Sequence, residues 1–273
     1  MEAKTGYEPT QGGTGTNPAT VPPFAMPPPG QVQSGQPGQT QPVQWIPTPL
    51  TIIGSPPGLE SLTQLDQILV HQHIELVEVF TALELQNKYD IKNSLEQKLF
   101  FAKEESDFCD RQRKRSSRQF VMHVVNNDKQ EVMRVVRPSH QCDGNDTVAV
   151  EAPPGHPIGH IRRRSTMCSS YFEVLDARLK TLLKIRDFCC ICEGDGNVDF
   201  RLMTPDDSQQ IGKISKQYTD YIQEHYTKAD NFSVVFPMDL DVKVKATLLG
   251  AVFLIDFIFF ESTPTRSNEL QKL

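Results

Sequence analysis

Between Leu76 and Phe236 the hydrophobic residues occur in short runs, several of which alternate with polar residues. The segment Val198 to Leu202 alternates apolar and charged positions, and turn-forming clusters such as Asn126-Asn127-Asp128 separate many of the runs. Runs that are rich in Val, Ile and Phe, with apolar residues at every second position, are typical of β-strands. The pattern predicts twelve strands: Val77–Ala82, Tyr89–Lys92, Leu99–Lys103, Phe120–Val125, Val132–Arg137, Val148–Ala152, Ile158–Arg162, Phe172–Leu175, Leu182–Phe188, Val198–Met203, Ile211–Ser215 and Phe232–Phe236.

Short strands at regular spacing favour a sandwich or a barrel, and a closed barrel leaves no exposed sheet edge. Residues 243–260 form a different pattern, which is apolar on every side of a predicted helix apart from Asp256. A bilayer-spanning helix needs about 20 apolar residues, and this run is shorter. We therefore favour burial of the helix inside the barrel over a membrane span. Asp256 would then need a buried hydrogen-bond partner or a raised pKa.

Two further helices are predicted. Leu59, Leu62, Leu65, Ile68 and Leu69 recur at helical spacing after Pro57-Gly58. Such a stripe most often packs on the protein's own core, although a helix that binds a partner or a membrane surface has the same pattern. The second is a short helix around residues 218–226, before the last strand.

The first 56 residues are dominated by Pro, Gly, Gln and Thr. Burial of so few apolar residues cannot offset the conformational entropy that the chain would lose on ordering. This arm is therefore predicted to be disordered. Its proline runs favour the polyproline II shape that SH3 and WW domains bind, or act only as a spacer. Trp45, the only tryptophan, could dock on the folded domain. The predicted organisation is an arm over 1–56, a barrel domain over 57–263 and a short polar tail over 264–273.

Composition narrows the classes of function. The formal net charge is -6, which argues against a general nucleic-acid binder, and the mean hydropathy is -0.41. The N-terminal stretch lacks the apolar core of a secretory signal, and six cysteines are too few for a disulfide framework, so we expect a cytosolic location. The sequence contains no Ser-His-Asp spacing, nucleophile elbow, phosphate loop or zinc motif.

Several segments resemble the core of the phospholipid scramblase family. They include Pro56-Pro57-Gly58-Leu59-Glu60-Ser61-Leu62, Asn87-Lys88-Tyr89-Asp90-Ile91-Lys92, Ala152-Pro153-Pro154-Gly155 and the tail from Asp239 to Glu261. The resemblance implies a tubby-like fold, with twelve antiparallel strands around a central hydrophobic helix. It also implies calcium-stimulated, ATP-independent movement of phospholipids between bilayer leaflets, which is lipid translocation and not catalysis.

The resemblance also implies a calcium-binding segment over residues 228–239. Asp230, Asn231 and Asp239 are its candidate ligands, whereas Lys228 stands where the family usually has Asp and cannot bind a cation. Phe232, Val234 and Phe236 alternate like a strand in the same segment, so a structural role is the alternative. We expect weak calcium binding at best.

Cysteines and basic residues are the remaining candidates for membrane attachment. Cys189 and Cys190 are candidate acylation sites, with buried packing or weak metal binding as alternatives. A basic loop is a candidate for binding anionic lipid, for nuclear import or for plain solvation; it contains Arg111, Arg113, Lys114, Arg115 and Arg118. Arg162, Arg163 and Arg164 form a second basic cluster. The segment from Gly212 to Lys216 is similar to one that acts in nuclear import in some family members, but its pattern here predicts a strand.

The leading prediction is therefore a scramblase at the cytoplasmic face of a membrane, most simply the plasma membrane, with a nuclear pool as a further expectation. Phospholipids are its predicted partners, and no specific nucleic acid is expected. The alternative is an adaptor or regulatory protein, recruited through its proline-rich arm and without scrambling activity.

Overall fold

The computed structural model describes residues 45–46, 54–73, 85–114, 118–139, 147–165, 170–186, 198–217 and 231–260. The elements in chain order are a 3-10 helix (Glu60–Gln64), β1 (Gln67–His73), β2 (Lys88–Lys92), β3 (Lys98–Glu105), α1 (Phe108–Lys114), β4 (Phe120–Val125), β5 (Glu131–Arg137), β6 (Thr147–Glu151), β7 (Pro157–Ser165), β8 (Ser170–Asp176), β9 (Thr181–Arg186), β10 (Val198–Met203), β11 (Gln210–Gln217), β12 (Asn231–Val235) and α2 (Val242–Phe259).

The twelve strands form one closed antiparallel barrel. Each strand pairs with its neighbour in sequence, and β1 pairs with β12 to close the ring, with Ile68 opposite Val234. Alternate residues face inward, as in β4, where Phe120, Met122 and Val124 are buried. The predicted barrel is confirmed.

Helix α2 occupies the interior of the barrel. Its residues from Val244 to Phe257 are all buried, which explains a helix that is apolar on every side. The close approach of helix and wall depends on Gly250, because a Cβ there would lie 2.7 Å from Val150 Cγ2. At its start, the Asp241 side chain accepts a 2.8 Å hydrogen bond from the Lys243 N–H and caps the helix.

Most predicted strands are present, but the helix predicted from Leu59 to Leu69 is wrong. Only residues 60–64 form a helical turn, and Ile68 and Val70 then alternate into the barrel as part of β1. Apolar residues three apart suit either structure when the run is short. Helix α1 was not predicted. The predicted strand over 77–82, the helix over 218–226, the proline-rich arm up to residue 44 and the polar tail lie outside the described residues.

Trp45 and Ile46 add a short contact on the outside of β3. The Ile46 N–H donates a 3.0 Å hydrogen bond to the Lys98 carbonyl oxygen, and the Lys98 ammonium lies 4.7 Å from the centre of the Trp45 ring. The chain therefore joins the barrel wall at the start of β3.

The two ends of the barrel differ. The connections 93–97, 126–130, 152–156, 177–180 and 204–209 are short turns at the end where α2 begins, which we call the turn end. The other connections, including the one that contains α1, join strands at the end where α2 finishes, which we call the loop end. Antiparallel order alone assigns every connection to one of these ends.

Candidate functional site

The loop end contains a buried ion pair between two neighbouring strands. Glu104 in β3 and Arg118 before β4 are fully buried, and the Arg118 Nε and Nη2 atoms donate bonds of 2.9 and 3.0 Å to the two carboxylate oxygens. The Asn87 N–H donates a further 2.9 Å bond to Glu104, and the Ser106 hydroxyl donates one of 2.5 Å. Such complete pairing is what a buried carboxylate needs.

Asp256 near the end of α2 is buried and bonded to the barrel wall. The Tyr89 hydroxyl of β2 donates a 2.5 Å hydrogen bond to Asp256 Oδ2, and the Tyr89 ring lies 5.0 Å from that of Phe253. The expected buried partner of Asp256 is thus Tyr89. This bond fixes the rotation of α2 inside the barrel, because it joins one helical position to one strand position.

Aromatic rings and cations surround the last turn of α2. The Arg118 guanidinium lies 4.3 Å from the Phe257 ring centre, the Arg163 guanidinium 5.7 Å from that of Phe259, and the Lys216 ammonium 3.6 Å from that of Phe260. Cations near a helix C-terminus also complement its partial negative charge. The loop end therefore has a core of aromatic residues with cations aimed inward.

The predicted basic loop is divided by the structure. Arg111 is buried and donates to the Ser106 carbonyl oxygen at 2.6 Å, and Arg118 belongs to the ion pair with Glu104. Neither can reach a membrane surface, which corrects the prediction for both. Arg113 and Lys114 are exposed on α1, where Lys114 pairs with Asp110 at 2.8 Å, whereas Arg115 lies outside the described residues.

The second basic cluster is divided in the same way, by the alternation of β7. Arg163 faces inward onto Phe259, whereas Arg162 and Arg164 face outward, and the Arg164 Nε donates a 3.0 Å bond to Glu173. The segment Gly212 to Lys216 lies in β11, as expected, and Lys216 is buried.

Two of the three predicted calcium ligands, Asn231 and Asp239, do not come together. Asn231 begins β12 at the loop end, and Asp239 follows the strand at the turn end, so about 13 Å of extended chain separates them. Calcium ligands must lie within about 2.6 Å of one ion, so these two cannot share it. Lys228 and Asp230 lie outside the described residues. Among the residues that the structure describes, no group of three or more acidic, His or Cys side chains could hold a metal.

The predicted acylation sites, Cys189 and Cys190, also lie outside the described residues. The connection that contains them joins β9 to β10 at the loop end. Cys109 on α1, at the same end, is a free and exposed thiol that the sequence analysis did not single out. Beside it, the Phe108 side chain is 49% exposed, although it is large and apolar.

One signal in the sequence could have revealed the buried ion pair. Phe100, Ala102 and Glu104 share the inward face of β3. Arg118 lies two residues before the inward-facing Phe120 and therefore points to the same side of the wall. An inward carboxylate two residues beyond a core alanine demands a buried cation.

No helix within the described parts of the chain combines the length and the apolar character that crossing a bilayer requires.

Comparison with known proteins identifies the family. The family model described as Scramblase matches residues 46–262. Phospholipid scramblase 2 of Bos taurus is 43% identical over 247 residues, covering 88% of this chain and 84% of that protein. Phospholipid scramblase 1 of Homo sapiens is 43% identical over 233 residues, covering 83% and 73%. Phospholipid scramblase family member 5 of Homo sapiens is 38% identical over 226 residues, covering 81% and 82%. The matched region includes all twelve strands and α2, and the chain belongs to the phospholipid scramblase family.

Proposed function

We propose that this protein moves phospholipids between the two leaflets of a membrane, without ATP and with stimulation by calcium. The observation that carries the proposal is the family match over residues 46–262, which spans the complete barrel. The protein would act as a lipid translocator, since no bond is made or broken. Independence from ATP belongs to the proposal because the family resemblance implies it.

The filled barrel constrains the path of the lipid. Side chains of α2 from Val244 to Phe257 pack against the inward residues of the wall, so the interior has no room for a phospholipid. We therefore place the path along the boundary between the outside of the protein and the bilayer. There, a bound protein lowers the cost of moving a headgroup by replacing part of its lost hydration.

The loop end is the part of the barrel that we place against the membrane. Phe108 exposes an apolar ring on α1, and Arg113 and Lys114 are exposed beside it. An aromatic ring can enter the interface between headgroups and tails, and each nearby cation adds about 1 kcal/mol of attraction to an anionic leaflet. Acylation of Cys189 and Cys190 would add to this attachment, since one acyl chain alone binds only marginally.

Calcium stimulation belongs to the proposal because the family resemblance implies it. The described residues do not supply a site: Asn231 and Asp239 are too far apart, and Asp239 lies next to the buried Lys245 ammonium. No step of lipid movement is therefore assigned to a bound ion.

Location and partners complete the proposal. We place the protein at the cytoplasmic face of the plasma membrane, with a nuclear pool, and the proline-rich arm as a ligand for SH3 or WW domains. The alternative function, an adaptor recruited through this arm, shares all of these features except lipid movement.

Reconstitution of the full-length protein into liposomes tests the function. Fluorescent phospholipid is placed in one leaflet, and its transfer is followed by quenching of the outer leaflet, in the absence of ATP and with either calcium or a chelator. We expect transfer above that of protein-free liposomes and a reduction with the chelator. Transfer no faster than in protein-free liposomes under both conditions would contradict the proposal and favour the adaptor.

A further inference from the structure

Arg163 is a cation that points into the opening of the barrel at the loop end. It lies two positions before the last residue of β7, and strand pairing places it opposite Phe172 of β8, which is buried in the interior. Its guanidinium lies 5.7 Å from the ring centre of Phe259 at the end of α2. The side chain is only partly buried, so solvent reaches it. Arg163 therefore lies where the filled interior meets the outside of the protein.

Arg163 lacks the polar partners that other inward cations have. Its Nε atom is buried, and within the described residues this atom has no hydrogen-bond acceptor and the guanidinium has no ion-pair partner. By contrast, Arg118 donates to Glu104, and Lys245 donates to three carbonyl oxygens. A buried donor without an acceptor is rare in folded proteins and destabilises them. Such a donor marks a place where an acceptor from outside the chain can bind.

The outward neighbours of Arg163 on the same strand do have an acceptor. The Nε atoms of Arg162 and Arg164 lie 3.6 and 3.0 Å from a Glu173 carboxylate oxygen in β8. Because side chains alternate across the wall, Glu173 lies outside the barrel while its neighbour Phe172 faces Arg163 inside. Arg163 and Arg164 are thus adjacent residues of one type, of which only the outward one is paired with a carboxylate.

A group of phenylalanine rings lies beside this arginine. We call it the aromatic cluster; it comprises Phe172 in β8, Phe200 in β10, Phe232 in β12, and Phe259 and Phe260 at the end of α2. The ring centre of Phe259 lies 6.1 Å from that of Phe172 and 5.8 Å from that of Phe200. The rings of Phe232 and Phe260 are 5.7 Å apart. The three wall rings are buried, but Phe259 and Phe260 are partly exposed, so the opening presents an apolar surface with a cation at its edge.

This combination matches the chemistry of a phospholipid near its phosphate group. A planar guanidinium can donate two parallel hydrogen bonds to phosphate oxygens, and aromatic rings can contact the first carbons of an acyl chain. A free phosphate ion would use the guanidinium without the rings, and a neutral apolar molecule would use the rings without the guanidinium. The two features together favour a ligand that has both groups.

A structural role for Arg163 is the alternative, because a cation complements the partial negative charge at the C-terminus of α2. Within the described residues, however, Arg163 donates no hydrogen bond to a carbonyl oxygen of this helix, and its contact there is with the Phe259 ring. A structural role predicts that loss of the guanidinium lowers stability and leaves lipid affinity unchanged. A role in binding predicts the reverse.

We propose that Arg163 and the aromatic cluster form a binding site for one phospholipid molecule at the opening of the barrel. Arg163 holds the phosphate group, and the rings of the cluster contact an acyl chain. The site rests on the proposed function, from which the class of ligand comes, and it deepens that function by naming the residues that receive a lipid. Because Arg163 recognises the phosphate that all phospholipids share, the site does not discriminate between headgroup alcohols.

Binding of soluble ligands to the full-length protein tests this proposal. Dihexanoyl phosphatidylcholine, below its critical micelle concentration, is titrated and followed by NMR. Inorganic phosphate supplies the anion without a chain, and hexyl glucoside supplies a chain without the anion. We expect the phospholipid to bind several-fold more tightly than either probe, and dihexanoyl phosphatidylserine to bind as tightly. Affinity for inorganic phosphate or for hexyl glucoside equal to that for the phospholipid would overturn the proposal.

Two adjacent substitutions locate the site. Arg163→Met removes the guanidinium and should lower affinity for dihexanoyl phosphatidylcholine about tenfold, the size expected for a charge-assisted hydrogen bond. Arg164→Met removes the same charge from the outer face of the same strand and should change this affinity by less than about twofold. Equal losses would show that only net charge matters, and no loss in Arg163→Met would show that the guanidinium does not bind lipid. Either result would overturn the proposal.

Thermal unfolding separates binding from a structural role. Arg163→Met should leave the Tm unchanged or raise it, because the substitution removes a partly buried charge that has no carboxylate partner. A lower Tm together with unchanged lipid affinity would assign a structural role and overturn the proposal. If the Met variant does not fold, Arg163→Lys keeps a cation beside α2. It should still bind the phospholipid several-fold more weakly, because an ammonium lacks the planar fork of the guanidinium. Unchanged affinity in Arg163→Lys would then overturn the proposal.

Binding and lipid transfer are independent readouts. If the phospholipid binds and Arg163→Met loses it while the full-length protein moves no lipid in liposomes, the site stands and the scramblase function is wrong. If transfer occurs and Arg163→Met binds the phospholipid as tightly as the wild type, the function stands and the site is wrong.

Discussion

At the turn end, neighbouring strands are joined by turns that largely stabilise themselves, whereas at the loop end groups far apart in the sequence stabilise one another. Asn93, Asn126 and Asp176 each accept two backbone N–H bonds within their own turn. At the loop end, Glu104 and Arg118 pair across two strands, and Tyr89 in β2 bonds to Asp256 in α2. Residues within each turn thus determine its conformation, whereas contacts between distant parts of the chain form the candidate site.

This difference predicts that substitutions at the loop end lower the free energy of unfolding more than substitutions at the turn end. A local turn can lose one bond and keep its neighbours, but a buried charge that loses its partner cannot recover hydration.

The largest effect is expected for Arg118→Met at the loop end. The substitution leaves the Glu104 carboxylate buried without its guanidinium, and breaking such a pair costs about 3–5 kcal/mol. Urea unfolding followed by circular dichroism measures the loss. The double variant E104Q/R118M should recover part of it, since no buried charge remains. A loss below about 1 kcal/mol in the single variant would show that the pair is not needed.

The contrast between the two ends also explains how far the sequence could predict this protein. Alternation and turn residues are local, and they predicted eleven of the twelve strands and the buried α2 helix. The first strand was missed because the apolar residues from Leu59 to Ile68 recur at helical spacing throughout. In the structure, Leu59 and Leu62 belong to a helical turn, whereas Ile68 belongs to a strand.

Site residues were harder to predict because neighbours in the sequence separate in space. Arg113 is exposed, whereas Arg111, only two residues away, is buried. Asn231 and Asp239 were grouped by sequence distance, but a strand holds them at opposite ends of the barrel. The reverse holds for Arg163 and Phe259, which are distant in the sequence but lie together at the loop end. Such a contact depends on the fold, and no local pattern contains it.

An intermediate effect is expected for Lys245→Met, which removes a buried charge at the turn end. The Lys245 ammonium donates to the carbonyl oxygens of Leu62, Leu65 and Met238 at 3.0, 2.7 and 2.7 Å. Loss of these bonds should cost about 1–3 kcal/mol, which is less than the cost at Arg118 because no charge is left behind. Thermal and urea unfolding at neutral pH measure the difference.

The pH dependence of this variant has a definite sign. Burial lowers the pKa of Lys245 below its ordinary value of 10.5, and the nearby Asp239 and Asp66 carboxylates offset only part of the shift. The folded protein therefore binds fewer protons than the unfolded chain between the lowered pKa and 10.5, so the stability of the wild type relative to Lys245→Met should rise with pH in this window. A difference that shrinks as the pH rises would contradict the assignment.

The smallest effect is expected for Asn126→Ala in a turn. The Asn126 side chain accepts 3.0 Å bonds from the N–H groups of Asp128 and Gln130, and Lys129 takes a left-handed conformation with φ of 60°. Losing the two acceptor contacts should cost about 1 kcal/mol, because water can reach the freed N–H groups of this exposed turn. Urea unfolding measures the loss, and the exposed neighbour Asn127→Ala is the control with little expected change. A loss as large as that of Arg118→Met would show that the turns, and not the buried ions, limit the stability of the barrel.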